Sequence, residues 1–229
     1  MLVLGIDSSL DAACASVVRD GEILCEYTQN QKKTQSVKML PMAESTLRDL
    51  ELTFSDIDVF ACGIGPGSFT GVRIGAATVR AFADTLSAPC VAVNSLEALY
   101  ENVKYFDKTV VCLIFARENE CFTAVYEQGR AIVAPCVKTI EEIKSLAEGK
   151  KCLFVGDGAV KNKEALSDLQ GAVFADSRHN IISAGAIASI GYRRAMEGNV
   201  GNSSVFAPMY LRKSQAEREY DEKHKSEAE

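Results

Sequence analysis

Apolar positions along the chain fall into short continuous or alternating runs separated by stretches of helical period, the pattern of an α/β protein. Residues 2–6 form a continuous apolar run and read as a buried first strand. Residues 12–18 and 23–28 follow as a hairpin around the turn signal Arg19-Asp-Gly21. A helix is expected over 34–50, where Leu40, Ala43, Leu47 and Leu50 recur at helical spacing and Pro41 bends or limits the first turns. A strand at 57–65, a helix at 71–86, a strand at 90–93 and a short helix at 95–102 complete a first lobe. The second half repeats the order hairpin, helix, strand: strands at 108–115, 121–127 and 130–133 with a turn at Gln128-Gly129, a helix at 139–146, and a strand at 152–155 stopped by Gly156-Asp-Gly158. An Ala-rich helix at 184–196 closes on Gly198-Asn199 and is assigned to this second half. The expected organisation is therefore α/β with two lobes of mixed sheet flanked by helices, over 1–103 and 104–213, with a charged tail or helix at 214–229.

The densest local signal is Ile64-Gly-Pro-Gly-Ser-Phe-Thr-Gly-Val-Arg-Ile-Gly75, between a strand and a helix. Pro66-Gly67 suits a tight turn, and Ser68 or Thr70 can cap the helix. Gly71 and Gly75 let another backbone approach closely. From Gly71 to Thr85 the only charges are Arg73, Arg80 and Asp84, which is a narrow polar face for a surface helix. Val72, Val79 and Leu86 serve the lobe's own core, while Ala76, Ala77, Ala81 and Ala83 add small surfaces elsewhere. Met39 and Met42 lie outside the main stripe of the preceding helix. Two neighbouring helices with surplus apolar surface suggest a docking face, with Met39, Met42, Phe69, Arg73, Ala76, Ala77 and Arg80 as its candidates. Spacing alone leaves two other readings open: tight internal packing, and phosphate binding at the helix N-terminus. The segment matches neither common phosphate-loop pattern.

Composition narrows the chemistry. The 229 residues carry 47% hydrophobic and 24% charged residues and a formal net charge of −6, which does not favour independent binding to nucleic acid. No apolar run approaches a membrane span, and the start lacks a secretory signal, so a cytoplasmic protein is expected. None of the eight cysteines makes a C-x-x-C pair, and most sit in apolar strands as small buried thiols. Two histidines 45 positions apart, His179 and His224, offer no paired ligands for a transition metal. A Cys–His nucleophile using His179 has nothing to place a thiol beside it. Asp7, Ser8 and Ser9, at the end of the first strand, are candidates for magnesium and phosphate, or simply a capped turn. They lack the glycine that lets amides approach phosphate, so weak or absent ATP and magnesium binding is expected.

Gly65-Pro-Gly-Ser-Phe-Thr-Gly-Val-Arg-Ile-Gly75 closely resembles the signature of the bacterial TsaB family. Gly5-Ile-Asp-Ser-Ser9 is similar to the first phosphate-loop region of actin-like and sugar-kinase-like ATPases. Thr34-Gln-Ser36 with Leu40-Pro41 resembles the family's first helix, Ala116-Arg-Glu-Asn-Glu120 its entry to the second lobe, and Gly156-Asp-Gly-Ala159 and the run from Pro208 to Glu217 its later landmarks. Gln35 and Phe115 depart from the family's usual His and Asp. The resemblance implies a two-lobed actin-like ATPase (ribonuclease H-like) fold. It also implies a subunit without an active site that pairs with the homologous catalytic subunit TsaD through N-terminal helices. With TsaE, such a pair supports transfer of a threonylcarbamoyl group to adenosine 37 of tRNA. tRNA would be met only through the complex, and a homodimer through the same helices is expected without the partner. The competing expectation is a stand-alone ATPase built on Asp7.

Overall fold

The computed structural model describes residues 1–31 and 35–212. The expected helix start at Thr34 and the expected tail over 214–229 lie outside the described residues.

The first sheet is built from β1 (Leu2–Asp7), β2 (Ala12–Arg19), β3 (Glu22–Asn30), β4 (Val59–Gly63) and β5 (Cys90–Val93), in the order β3-β2-β1-β4-β5. β1, β4 and β5 run parallel, and β2 lies antiparallel to both of its neighbours, β1 and β3. Helices α1 (Gln35–Arg48) and α2 (Phe69–Leu86) lie on this sheet, and α3 (Ser95–Glu101) leads out of it.

The second sheet repeats the plan. β6 (Thr109–Arg117), β7 (Glu120–Glu127), β8 (Arg130–Thr139), β9 (Cys152–Val155) and β10 (Ala172–Phe174) are ordered β10-β9-β6-β7-β8. α4 (Ile140–Ala147), α5 (Asp157–Lys161) and α6 (Lys163–Leu166) accompany it, and α7 (Ala184–Met196) follows. Both hairpins turn where expected. Asp20-Gly21 and Gln128-Gly129 take positive φ at both residues, the geometry that matches strand twist in a two-residue loop.

Strand alternation divides the core into layers. Val59 and Ala61 of β4 face one cluster, while Phe60 and Cys62 face the other. Leu4, Ile6, Phe60 and Cys62 pack under α1 and α2. The opposite face of the first sheet joins α3, α7 and one face of the second sheet in a continuous core that includes Val3, Leu99, Cys112 and Ile187. Val111, Leu113 and Phe154 meet α4 on the far side.

Two expectations are corrected. The buried stripe of α1 contains Met39, Ala43, Thr46 and Leu47, whereas Leu40 is 43% exposed. Ala43 and Leu47 lie in the core as expected, and only Leu40 leaves the stripe, its place taken by Met39 and Thr46. Met39 is fully enclosed in the core because it faces the sheet, so it offers nothing to a partner. The second correction concerns α7, which lies on the first sheet rather than with the second half to which its sequence position assigned it. A Cβ on Gly191 would stand 2.7 Å from the Ala61 Cβ, and one on Gly5 would stand 2.6 Å from the Ala188 amide nitrogen. Small residues on both elements let helix and strand backbones close together.

Candidate functional site

The turn after β1 is sewn into the protein. Asp7, Ser8 and Ser9 are all buried. Asp7 Oδ1 accepts hydrogen bonds from the Ser9 amide and hydroxyl, both at 3.0 Å. Ser8 Oγ donates to the Gly71 carbonyl at 2.8 Å. The Ser68 amide donates to the Ser9 carbonyl at 2.7 Å, and Ser9 Oγ lies 2.9 Å from Ser95 Oγ. Ser68 caps α2 by accepting from the Gly71 amide at 3.2 Å. The space left by Gly75 is taken by Ser8, whose Oγ would lie 2.9 Å from a Cβ there. The close approach allowed by the glycines of α2 is therefore made by the chain's own first turn.

Burial pushes the Asp7 carboxyl up to about 7, against the lowering effect of the Ser9 hydrogen bonds. Its Oδ2 has no hydrogen-bond partner. A magnesium ion wants an ionised, hydrated carboxylate, and a phosphate wants free amides. Here the carboxyl is sealed and the Ser9 amide is spent on Asp7. The Asp7-Ser8-Ser9 turn does not fit a magnesium–phosphate group.

The cleft between the lobes holds two adjoining cavities of about 410 and 280 Å³, which share Leu10, Asp11, Asp157 and Lys161. Asp157 opens α5 and accepts from the Phe115 amide at 3.0 Å. Lys161 sits 3.3 Å from Asp157 and 3.9 Å from the centre of the Phe115 ring. Carboxylates face the cleft beside its cations, which weakens any pull on phosphate. Gly156-Asp-Gly158 ends β9 at Val155, as expected, and also opens α5.

No group of three or more metal-ligating side chains exists among the described residues. Burial pushes the thiols of Cys14, Cys62 and Cys112 well above their ordinary range and that of Cys90 to about 11. Such thiols are poor nucleophiles at neutral pH.

The outward sides of α1 and α2 remain open. Val37 is 69% exposed, and Leu40 and Pro41 are exposed beside it on α1. Arg73, Ala77, Arg80 and Ala81 are exposed on α2, with Arg80 paired to Asp84 at 3.5 Å. Of the expected docking residues, Met42 and Phe69 are half-buried, and Arg73, Ala77 and Arg80 are exposed. Ala76 faces the core at 5% exposure and, like Met39, is corrected to a packing residue. Val37 and Leu40 are absent from the expected face: the spacing placed Leu40 in the core stripe and gave Val37 no part.

Tyr210 was also missed. It stacks on Phe69 at 4.9 Å between ring centres, and its hydroxyl accepts from Arg73 Nε at 2.7 Å. The Met209 amide donates to the Ile64 carbonyl at 2.7 Å. The segment after Phe206 thereby crosses the start of α2. No spacing in the sequence signals a contact between positions this far apart.

Two sheets of identical strand order, with α3 and α7 packed in the core between them, define the two-lobed actin-like ATPase (ribonuclease H-like) class. YeaZ from Pseudomonas aeruginosa shares this fold at a TM-score of 0.80, with 24% identity over 92% of this chain and 99% of that one. Component A of (R)-2-hydroxyglutaryl-CoA dehydratase from Acidaminococcus fermentans shares it more loosely, at a TM-score of 0.56 and 12% identity, over 86% of this chain and 99% of that one. The family model "TsaD: tRNA N6-adenosine threonylcarbamoyltransferase" matches residues 22–220. The tRNA threonylcarbamoyladenosine biosynthesis protein TsaB of Bacillus subtilis (strain 168) is 28% identical over 236 residues, covering 98% of this chain and all of that protein (100%). The TsaB of Buchnera aphidicola subsp. Schizaphis graminum (strain Sg) is 28% identical over 71% of this chain and 81% of its own. The chain belongs to the TsaD family and, within it, to the TsaB proteins.

Proposed function

We propose that this chain is a non-catalytic subunit in the biosynthesis of threonylcarbamoyladenosine in tRNA, acting by heterodimerising with and activating TsaD, with TsaE as a further partner. The open α1/α2 face is the observation that carries the reading. Val37, Leu40 and Ala77 are exposed on adjacent helices that already bury a full stripe each, so they serve no purpose in the protomer's core. The name of the Bacillus subtilis relative supports the pathway. The sealed Asp7 turn supports the accessory role and weighs against the alternative, a stand-alone ATPase, which requires that carboxylate to meet magnesium. ATP is bound weakly or not at all. In the absence of TsaD the same face pairs two copies of this chain. Mixing the chain with its cognate TsaD and measuring mass by light scattering tests the proposal: a one-to-one species supports it, and two independent peaks at micromolar concentration contradict it.

A further inference from the structure

The strand ends of the second lobe that point away from the cleft surround a cavity of about 750 Å³. Four cations line it: Lys108 before β6, Arg130 at the start of β8, and Lys150 and Lys151 before β9. Two carboxylates, Asp107 and Glu127, stand among them. A local excess of cations over carboxylates is unusual in a chain whose net charge is −6.

The frame of this cavity is fixed. Glu127 Oε1 accepts from Thr109 Oγ1 at 2.8 Å and from Lys150 Nζ at 3.4 Å. The Gly129 amide in the β7–β8 turn donates to the Tyr100 hydroxyl at 3.0 Å, and Tyr100 stacks on Tyr126 at 4.3 Å. The turn that carries Arg130 is thereby tied to α3. Only Lys150 is drawn to a carboxylate; Arg130 and Lys151 are exposed and form no ion pair among the described residues.

Together with the proposed role in tRNA modification, on which this inference rests, the geometry points to a docking point for the phosphodiester backbone of RNA: we propose that Lys108, Arg130 and Lys151 contact RNA phosphates while this subunit sits in its complex. A concave pocket suits a convex phosphate backbone better than a flat bilayer. Glu127 is taken up by Thr109 and Lys150, which leaves Lys108, Arg130 and Lys151 as the cations open to phosphate. Contacts of this kind hold the RNA in place without reading its sequence.

The test uses the assembled complex and, in parallel, the chain alone. Binding of unmodified tRNA is measured over a salt series for the wild type, for Arg130→Ala/Lys151→Ala, and for the control Lys144→Ala. The double variant is expected to weaken tRNA binding by about three- to tenfold and to reduce the slope of log K against log salt by about 1 to 2, because two phosphate contacts are lost. Thermal melting and light scattering should show both variants folded and joined to the partner. An unchanged dissociation constant and slope in a correctly assembled double variant overturn the proposal. So does loss of affinity for inorganic tripolyphosphate, or for phosphatidylserine vesicles, with tRNA binding unaltered; those results assign the pocket to a free polyphosphate or to a membrane. Failure of the wild-type chain to join the catalytic subunit would instead sink the proposed function, a result that light scattering separates from lost tRNA binding in an assembled complex.

Discussion

The second carboxyl oxygen of Asp7 occupies the space that a side chain on residue 63 would fill, so Asp7 and Gly63 form a matched pair at the centre of the first lobe. Gly63→Ala forces the two into overlap. An overpacked core site of this kind costs about 1–3 kcal/mol. Urea unfolding should show the loss, and the loss should shrink when Asp7 is already Ala. Equal losses in both backgrounds would mean that the two positions do not share the space.

Burial also makes Asp7 a source of pH-dependent stability. Its carboxyl titrates near pH 7 in the folded protein and near the ordinary carboxylate value of about 4 when unfolded. Between those values the folded state holds the extra proton, so stability falls as pH rises from about 4 to about 7 and then levels. Asp7→Asn stays neutral and removes this component. The wild type should lose stability relative to Asp7→Asn by up to about 4 kcal/mol between pH 4 and pH 8. Parallel curves of unfolding free energy against pH for the two proteins would show that the carboxyl is ionised throughout.

Gly191 should be as sensitive. Its missing side chain lets α7 rest on Ala61 and Val3. Gly191→Val lifts the helix from the sheet and should lower stability by about 1–3 kcal/mol, read as a drop in Tm. The exposed neighbour Met196 can be changed to Gln with little effect.

The relation between α7 and the first strand shows where sequence reading runs out. The strands of the first sheet, four of the five in the second, both hairpin turns and a cap at Ser68 or Thr70 were legible, because alternation, Asp-Gly or Gln-Gly turns and a hydroxyl residue before a helix act over a few residues; the three-residue β10 carries too little pattern. The site of α7 was not. Its partners Gly5 and Ala61 lie far away in sequence, and a small-residue helix carries no mark of which sheet it will meet. The docking face was half legible. Surplus apolar surface on α1 and α2 was readable, but Met39 and Leu40, adjacent and alike in hydrophobicity, exchanged places between core and surface. Ala76 and Ala77 are alike in sequence, and only the sheet beneath separates them.

Tyr210 offers a separate test of the start of α2. Tyr210→Ala removes the ring from Phe69 and the acceptor from Arg73. The pair is partly exposed, so stability should fall by only about 1 kcal/mol. The fluorine resonance of a fluorotyrosine-labelled chain at Tyr210, assigned by its loss in Tyr210→Phe, should shift when a partner covers this end of α2. No change on complex formation would place the partner elsewhere.

The most direct measurement compares adjacent residues that differ only in which way they face. Leu40→Glu and Ala77→Arg alter the open face, while Met39→Glu and Ala76→Arg strike the core. Calorimetric titration of each into cognate TsaD, with circular dichroism of the free chain, separates docking from folding. Leu40→Glu and Ala77→Arg should stay folded with unchanged Tm and lose at least about tenfold in affinity, whereas Met39→Glu should unfold. Wild-type affinity in the folded Leu40→Glu and Ala77→Arg variants would contradict the assignment of this face as the docking surface.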